Sequence, residues 1–239
     1  MYRIMNGQRG FTLIEIAIAL TVIALLSVGA MSALQLAMLR ARIAETRDAV
    51  QEAREAVVAV AVVNRSLPCP AVSATDGTEQ SRAGGSCTNR RGLLPWQTLG
   101  VRGVDGWGNR LGYAVSQPLV KSAGNRIQLT DVGDLKIMGR AADGSASQMV
   151  TGAAVAFALW SHGANGRGAT TLVGSQIDDE STTNVDEKNN SSQPGSSVEI
   201  YAREGSVSTG ADGGEFDDLV EWESRYVLFG RMMSAGQLP

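Results

Sequence analysis

The chain has 239 residues, with 21 Lys and Arg against 24 Asp and Glu, so its formal net charge is −3 at pH 7. This balance excludes a simple basic surface for nucleic acid, and no nucleic-acid partner is indicated. Once an apolar N-terminal segment is set aside, the remaining length suits one globular domain of ordinary size.

The first feature along the chain is a short basic leader, followed by an apolar run whose only charge before Arg40 is the carboxylate of Glu15. An ionised carboxylate near the interior of a bilayer costs several kcal/mol, so it requires a partner. Cleavage after Gly10 would make Phe11 the new N-terminus. Its amino group could then pair with Glu15 of the same chain or of a neighbouring subunit. In a chain that is cut at this point, Glu15 could therefore act in assembly.

Residues 10–15 read G-F-T-L-I-E and precede the long apolar stretch. This pattern resembles the class III leader of type IV pilins and type II secretion pseudopilins. In that family a prepilin peptidase cuts after the glycine and methylates the new N-terminus, which implies cleavage between Gly10 and Phe11 and N-methylation of Phe11. The resemblance also implies an inner-membrane protein with a cytoplasmic N-terminus, a periplasmic head and an inner-membrane assembly platform as a partner. The alternative is an ordinary signal anchor that holds a periplasmic domain.

One long helix is predicted after the leader. Residues 16–39 carry few polar side chains and are long enough to cross a bilayer of about 30 Å. Beyond them, apolar residues recur every seven positions, at Leu36, Ile43, Val50 and Val57. Leu67-Pro68 ends the helix, because the residue before proline avoids helical angles. The predicted organisation is a cleaved leader at 1–10, a helix at 11–66 with a transmembrane segment at 16–39, and a globular head at 67–239.

The two cysteines, Cys69 and Cys87, both lie beyond the membrane segment. An oxidising periplasm would join them in a disulfide. Such a bond would stabilise the fold by about 3 kcal/mol on the chain-entropy model. Zinc binding is not expected, because two cysteines and the single His162 supply too few nitrogen and sulfur ligands.

The head is predicted to be an α+β domain in which an antiparallel sheet packs with helix on one face. Glycines around Trp107 favour a tight turn with the ring packed inward. The segment 174–197 is too hydrophilic to bury and predicts a long surface loop. Strands are expected, in chain order, at 111–115, 127–129, 135–138, 153–160 and 198–201, with a last strand from Leu219 and a short helix at 225–233.

His162 is the one histidine, and it follows Ser161 on a Gly-rich turn. Adjacent residues at a strand end point in opposite directions, so the two side chains are poorly placed for mutual proton transfer. We expect His162 to stabilise a turn through a hydrogen bond to a backbone carbonyl. No enzymatic activity is therefore expected from this pair, and the chain is not predicted to be an enzyme.

The C-terminal third of the chain is acidic, with 13 carboxylates from Asp178 onward against four basic residues. This polarity could orient subunits head to tail, or it could only keep the surface solvated. Carboxylates are also the hard oxygen ligands that calcium prefers, and a C-terminal loop binds calcium in some major pseudopilins. Asp217 and Asp218 are the best calcium candidates because they adjoin a predicted strand, although no EF-hand spacing is present. No other cofactor is expected.

The head also contains short motifs that are similar to those of a pilin-like group of Gram-negative bacteria. They are G-L-L-P-W, D-G-W-G-N, S-H-G-A-N-G and the ending from D-D-L-V-E-W to A-G-Q-L-P. Together with the leader, they favour a structural subunit of a type IV pilus or pilus-like filament, a minor pilin that is assembled with other pilin subunits and reaches the cell surface. The alternative within the family is a pseudopilin of a type II secretion system. A membrane-anchored periplasmic binding module is the third interpretation.

Overall fold

The structure is a computed structural model that describes residues 11–178, 183–206, 210 and 212–238. The leader at 1–10, including Gly10, lies outside the described residues. The chain divides into two compact units, Met1–Ala41 and Arg42–Pro239, which are described separately. The helices are α1 (Leu13–Asn64), α2 (Trp96–Leu99), α3 (Val185–Asn189) and α4 (Arg225–Ser234). The strands are β1 (Arg82–Ala83), β2 (Ser86–Cys87), β3 (Arg91–Leu93), β4 (Gly112–Val115), β5 (Lys136–Arg140), β6 (Ala146–Val150), β7 (Val155–Ser161), β8 (Glu199–Tyr201) and β9 (Leu219–Ser224).

The first unit consists of the N-terminal part of α1. Its large aliphatic side chains are exposed, from Leu13 at 89% to Leu39 at 40%. Within the described residues, α1 is the one helix that is long and apolar enough to cross a membrane. A helix that is apolar on all sides must be covered by lipid or by protein. This unit therefore fits membrane anchoring.

In the second unit, the remainder of α1 buries one stripe of small and β-branched side chains. Ala49, Val50, Ala53, Val57 and Ala61 are all at most 2% exposed and belong to the main hydrophobic core. Their spacing places them on one helical face. The helix ends at Asn64. The next residue, Arg65, has a positive φ of 55°, and the Leu67-Pro68 pair follows. The observed end of the helix thus lies within three residues of the Leu67-Pro68 pair that predicts it.

The centre of the second unit is a four-stranded antiparallel sheet in the order β3-β4-β7-β9. All seven residues of β7 are buried because both faces of the sheet are covered. Phe157 and Leu159 pack in the core that contains α1 and α4. Ala158 and Trp160 pack on the other side, against apolar side chains of β5 and β8. A strand that is covered on both faces reads as a continuous apolar run rather than an alternating one.

A second sheet has the order β6-β5-β8. Strand β5 pairs antiparallel with β6 but parallel with β8. The sequence predicts only antiparallel pairing, so the β5–β8 pair is a correction. A parallel pair needs a long crossover, and here the connection includes β6, β7 and α3, which local sequence patterns do not reveal.

Two local predictions in the head are wrong. Residues 127–129 form no strand: Ile127 is buried, but its backbone N–H donates to the carbonyl of Arg65 at 2.9 Å in an irregular segment. Trp107 is only partly buried, whereas Trp160 is the fully buried tryptophan of the sheet. An apolar residue can thus enter the core from a loop, and glycines beside a ring do not establish that the ring is buried.

The predicted surface loop at 174–197 is also corrected in part, because it contains α3. Two successive acids of this helix, Asp186 and Glu187, are fully buried. Hydrophilic composition predicts exposure only when the charges have no partners inside the fold. The partners of these two acids are described below.

The predicted α+β fold, with a long N-terminal helix and antiparallel sheets, is confirmed. The head also contains the disulfide between Cys69 and Cys87, with the two Cα atoms 5.5 Å apart. Both cysteines are buried in the main core. The bond links the segment after α1 to the β1–β2 hairpin, so it holds this hairpin near the end of the helix within the second unit.

Candidate functional site

Of the two residues at the predicted cleavage site, Gly10 and Phe11, only Phe11 is described, and its side chain is 78% exposed. Thr12 is the residue before α1, and its Oγ1 accepts a hydrogen bond from the backbone N–H of Glu15 at 3.3 Å. The backbone carbonyl of Thr12 accepts from the N–H of Ile16 at 3.2 Å. Thr12 is therefore an N-cap that satisfies one of the unpaired donors in the first turn.

The sequence T-L-I-E at 12–15 carries a signal that the sequence analysis missed. A Ser or Thr followed three residues later by Glu is the pattern of a capping box. Cleavage after Gly10 would leave only Phe11 in front of this cap. The helix would therefore start next to the new N-terminus, and Glu15, at the third helical position, would remain within the first turn.

A second candidate site is a group of three carboxylates, Glu187, Asp217 and Asp218, called here the carboxylate cluster. One oxygen atom of each lies within 4.8 Å of the others. Glu187 comes from α3, and the two aspartates directly precede β9. Glu187 and Asp218 are buried and Asp217 is partly buried. The structure thus brings together the two predicted calcium ligands and adds a third acid from the segment predicted to be a loop.

Amide groups donate most of the hydrogen bonds to this cluster. The side-chain nitrogen of Asn165 donates to both carboxylate oxygens of Glu187, at 3.0 and 3.2 Å. The backbone N–H of Asp217 donates to Glu187 at 2.6 Å, and that of Asn165 donates to Asp217 at 2.9 Å. Asn190 donates to Asp218 Oδ2 at 2.8 Å. Asp217 Oδ1 and Asp218 Oδ1 are buried, and no group among the described residues donates a hydrogen bond to either.

The contrast with the neighbouring acid Asp186 is informative. Asp186 is held by two guanidinium groups, with Arg140 Nη2 at 2.5 Å and Arg203 Nε at 2.7 Å. Across the ranges that the structure describes, no Lys or Arg forms an ion pair with Glu187 or with either aspartate of the cluster. Buried charges in proteins are normally paired or bound to a metal. The carboxylate cluster therefore lacks the positive charge that its neighbour has.

The electrostatics of the cluster follow from this lack. Burial, together with the charge of Glu187, raises the pKa of Asp217 to about 6. Burial and Glu187 also raise the pKa of Asp218 well above its usual range, although Asn190 and the more distant Arg91 oppose the shift. Neighbouring carboxylates that share a small volume disfavour one another's ionised forms. Such a group accepts either protons or a cation that brings oxygen ligands together.

His162 lies beside the carboxylate cluster but does not supply the missing charge. Its Nε2 accepts a hydrogen bond from the indole N–H of Trp160 at 3.2 Å. Its Nδ1 is 3.8 Å from Asp218 Oδ1. Burial and the charge of Arg91 lower the pKa of His162 to about 3, so the ring is neutral near pH 7. Ser161 donates to Asp105 Oδ2 at 2.6 Å, not to His162.

Comparison with known proteins gives one match. The family described as the prokaryotic N-terminal methylation motif matches residues 5–31. This segment is the prepilin signature of type IV pilins and pseudopilins, and it implies processing by a prepilin peptidase and assembly with other subunits of the pilin family. No curated protein and no solved structure matches the chain.

Proposed function

We propose that this chain is a structural, non-catalytic subunit of a type IV pilus or pilus-like filament, a minor pilin assembled through its N-terminal helix. The observation that carries the proposal is the methylation motif at 5–31 directly joined to a helix with exposed aliphatic side chains. A pilin-like chain needs both features: a processing site and a helix surface that other subunits or lipid cover. A pseudopilin of a type II secretion system is the alternative that the test must separate.

The proposed assembly step uses the charge of Glu15. Peptidase cleavage between Gly10 and Phe11 produces an N-terminal amine next to the capped start of α1. Pairing of that amine with Glu15 of a neighbouring subunit would neutralise a carboxylate in an apolar environment and set the axial position of one helix against the next. The N-terminus would face the cytoplasm and the head the periplasm, where the Cys69–Cys87 disulfide is stable.

Mass spectrometry of the N-terminal peptide, from sheared surface fibres and from washed membranes, tests the proposal. A peptide that begins with methylated Phe11 in the fibres supports a pilus subunit. The same processed peptide confined to membranes would indicate a pseudopilin or a subunit that only primes assembly. A chain that still begins at Met1 would contradict both.

The role of the carboxylate has its own test. Glu15→Gln keeps the size of the side chain but removes its charge, so we expect normal membrane insertion and a loss of incorporation into fibres. Thr21→Ala is the matched control, because it removes a polar group from the same helix, one whose hydroxyl donates to the backbone carbonyl of Ile18. Normal incorporation of Glu15→Gln would refute the charge-pairing step.

We further propose that the carboxylate cluster binds calcium and orders the head. Calcium takes six to eight oxygen ligands at about 2.3–2.6 Å, so two ligand oxygens of one ion lie at most about 5 Å apart. One oxygen atom each of Glu187, Asp217 and Asp218 meets this limit, and within the described ranges Asp217 Oδ1 and Asp218 Oδ1 accept no hydrogen bond. The ion would join α3 to the segment before β9. It would thereby hold α3, within the hydrophilic segment 174–197, against the central sheet.

A titration of the full-length chain in detergent micelles tests calcium binding. Millimolar calcium should raise the melting temperature of the chain and should not do so in Glu187→Gln. Glu221→Gln is the matched control, since Glu221 is an exposed acid of β9 outside the cluster. If calcium leaves the melting temperature of the wild-type chain unchanged, the proposal of calcium binding is refuted. The proposal of a pilin-like subunit is not affected by that result.

A further inference from the structure

The Gly-rich turn after β7 contains the motif S-H-G-A-N-G, to which the proposed function gives no role. This turn lies directly against the carboxylate cluster. The backbone N–H of Asn165 donates to Asp217 at 2.9 Å, and its side-chain nitrogen donates to both carboxylate oxygens of Glu187. The Nδ1 atom of His162 is 3.8 Å from Asp218 Oδ1. One short turn therefore presents a nitrogen atom to each of the three acids.

The side chain of Asn165 has a fixed orientation in this turn. Its oxygen accepts a hydrogen bond from the backbone N–H of Arg167 at 2.9 Å. Because a side-chain amide has one oxygen and one NH2 group, the NH2 group then points the other way. There it donates to Glu187 and also to Glu215 Oε1 at 3.2 Å. The amide of Asn165 is thus a donor whose direction towards the acids is set by the backbone of its own turn.

The ring of His162 is fixed in the same way. The indole nitrogen of Trp160 is a donor only, and it donates to Nε2 of His162 at 3.2 Å. An imidazole nitrogen that accepts a hydrogen bond carries no proton, so the proton of the ring lies on Nδ1. Complete burial and the positive charge of Arg91 lower the pKa of His162 and so oppose a second proton. The nitrogen that faces Asp218 is therefore an N–H donor.

This N–H donor and a buried acceptor face each other across a short gap. Within the described ranges, neither His162 Nδ1 nor Asp218 Oδ1 has a hydrogen-bond partner of normal geometry, and both side chains are fully buried. The backbone carbonyl of Arg167 acts to raise the pKa of the ring, as expected beside a ring nitrogen that carries a proton. Closing the distance by about 0.6–1 Å would give a normal N–H···O hydrogen bond. That bond would satisfy two buried polar atoms at once.

The close approach of the turn to the acids depends on Gly163. Its φ is +59°, in the left-handed region that glycine favours. A Cβ atom at this position would lie 2.3 Å from the backbone oxygen of Asp217 and 2.5 Å from its Oδ1. A side chain here would therefore push the turn away from the cluster. The glycine allows the donors on either side of it, His162 and Asn165, to reach the carboxylates.

We propose that His162 and Asn165 are positioning residues for calcium: they do not touch the ion, but they hold the carboxylate cluster with its oxygens within reach of one ion. Carboxylates that bind a metal are themselves hydrogen-bonded, and loss of such an outer contact costs about 10–100-fold in metal affinity. Neutral donors suit this task, because they orient a carboxylate and leave it the charge that attracts the cation. The two guanidinium groups at Asp186 neutralise that acid instead. The inference rests on the proposed calcium site.

Nitrogen NMR of the full-length chain in micelles tests the donor of His162 directly. His162 is the one histidine of the sequence, so ¹⁵N-histidine labelling of a chain purified without a histidine tag reports a single ring. We expect a protonated Nδ1 and an unprotonated Nε2 at pH 7, with a downfield shift of the Nδ1 proton when calcium is added. A proton on Nε2, a doubly protonated ring, or an Nδ1 proton unchanged by saturating calcium would overturn the role of His162.

Two replacements of His162 separate positioning from packing. The amide of asparagine is bonded to Cγ and takes the place of Nδ1, whereas the amide of glutamine lies one bond further out, at the place of Nε2. His162→Asn therefore keeps a donor towards Asp218, and His162→Gln does not. In calorimetric titrations of the full-length chain, His162→Gln should bind calcium at least tenfold more weakly than His162→Asn. Equal affinities of the two variants would overturn the proposal, because packing alone does not favour one amide position over the other.

The role of Asn165 is tested in the same titrations. Asn165→Ala should weaken calcium binding at least tenfold, because Glu187 loses its side-chain donor. Asn125→Ala is the matched control, since Asn125 is an exposed asparagine whose amide donates to Ser122 Oγ. Unchanged calcium affinity of Asn165→Ala would refute this inference and leave the calcium site in place. A wild-type chain that binds no calcium would refute the calcium site and this inference together.

Discussion

The carboxylate cluster predicts an unusual pH dependence for the calcium-free chain. The pKa of Asp217 is raised to about 6, so the folded state holds this proton more tightly than the unfolded chain does. A raised carboxyl pKa contributes stability that is complete below the unfolded value of 3.8, declines as the pH rises towards 6, and is absent above it. Without calcium, the chain should therefore be more stable at pH 4.5 than at pH 7.5 as far as this group is concerned.

The size of the effect follows from the pKa. Between pH 4.5 and about 6, each pH unit lowers the free energy of unfolding by about 1.4 kcal/mol, and the total decrease would be about 2 kcal/mol. Asp217 is only partly buried, and solvent screening reduces this to about 1 kcal/mol. The pKa of Asp218 is raised as well, so this group adds to the loss of stability. For a chain of this size, about 1 kcal/mol corresponds to about 2–4 °C in melting temperature.

Thermal melts of the full-length chain in micelles, in calcium-depleted buffers at the two pH values, measure this loss. Burial also raises the pKa of Asp105 and Glu223, which adds to the loss, whereas the lowered pKa of His162 makes stability rise with pH and opposes it, so the wild-type melts report the sum of these groups. Asp217→Asn isolates the cluster, because it should lose less stability than the wild type over the same range. Saturating calcium at pH 7.5 should restore the wild type and not the variant. Equal pH losses in the two chains would refute the electrostatic account of the cluster, and failure of calcium to restore the wild type would refute the exchange of protons for calcium.

Three further variants test the packing of the head by chemical denaturation. Replacing both Cys69 and Cys87 with serine should lower the free energy of unfolding by about 3 kcal/mol, and a loss below about 1 kcal/mol would contradict the constraint assigned to the bond. Gly112→Ala should cost about 1–3 kcal/mol, because the new methyl group would lie 2.1 Å from Cε2 of Trp160, and a neutral result would show that the ring can move aside. Gly230→Ala should instead stabilise the chain by about 0.5–1 kcal/mol, which a measured destabilisation would contradict.

Local signals account for what the sequence predicts well. The long helix follows from an uninterrupted apolar run, a heptad pattern and the stop at Leu67-Pro68, none of which depends on distant residues. The last strand and α4 likewise follow from a change of periodicity near Ser224, whose side chain accepts a hydrogen bond from the backbone of Tyr226 as an N-cap. The residues at or near the ends of these elements therefore determine where each element begins and ends.

Non-local pairing accounts for what the sequence does not predict. The sequence predicts strand β8 but not its parallel alignment with β5, which places Ile137 beside Ile200 across more than 60 residues of chain. Likewise, the segment at Ile127 is buried because its backbone bonds to Arg65 at the end of α1, not because it belongs to a sheet. A residue pattern of period two indicates a strand, but it does not state the partner.

The candidate calcium site shows the same division. The sequence identifies Asp217 and Asp218 as candidates because they are acids beside a predicted strand, but it predicts a loop at Glu187. The sequence N-V-D-E at 184–187 offers a short-range signal, since Asn at an N-cap with Glu three residues later is similar to a capping box, and Asn184 does donate to Glu187. That pattern predicts the start of α3, but it does not predict burial.

Burial of α3 depends on charge rather than on apolar area. Asp186 enters the fold because Arg140 and Arg203, 46 and 17 residues away, neutralise it. Glu187 is one residue further and equally buried, but among the described residues only amide groups hold it. The same physical rule therefore explains the ordered helix and the incomplete site: a hydrophilic segment packs where opposite charge is supplied. For the carboxylate cluster, a proton on Asp217 or Asp218, or a bound cation, would supply that charge.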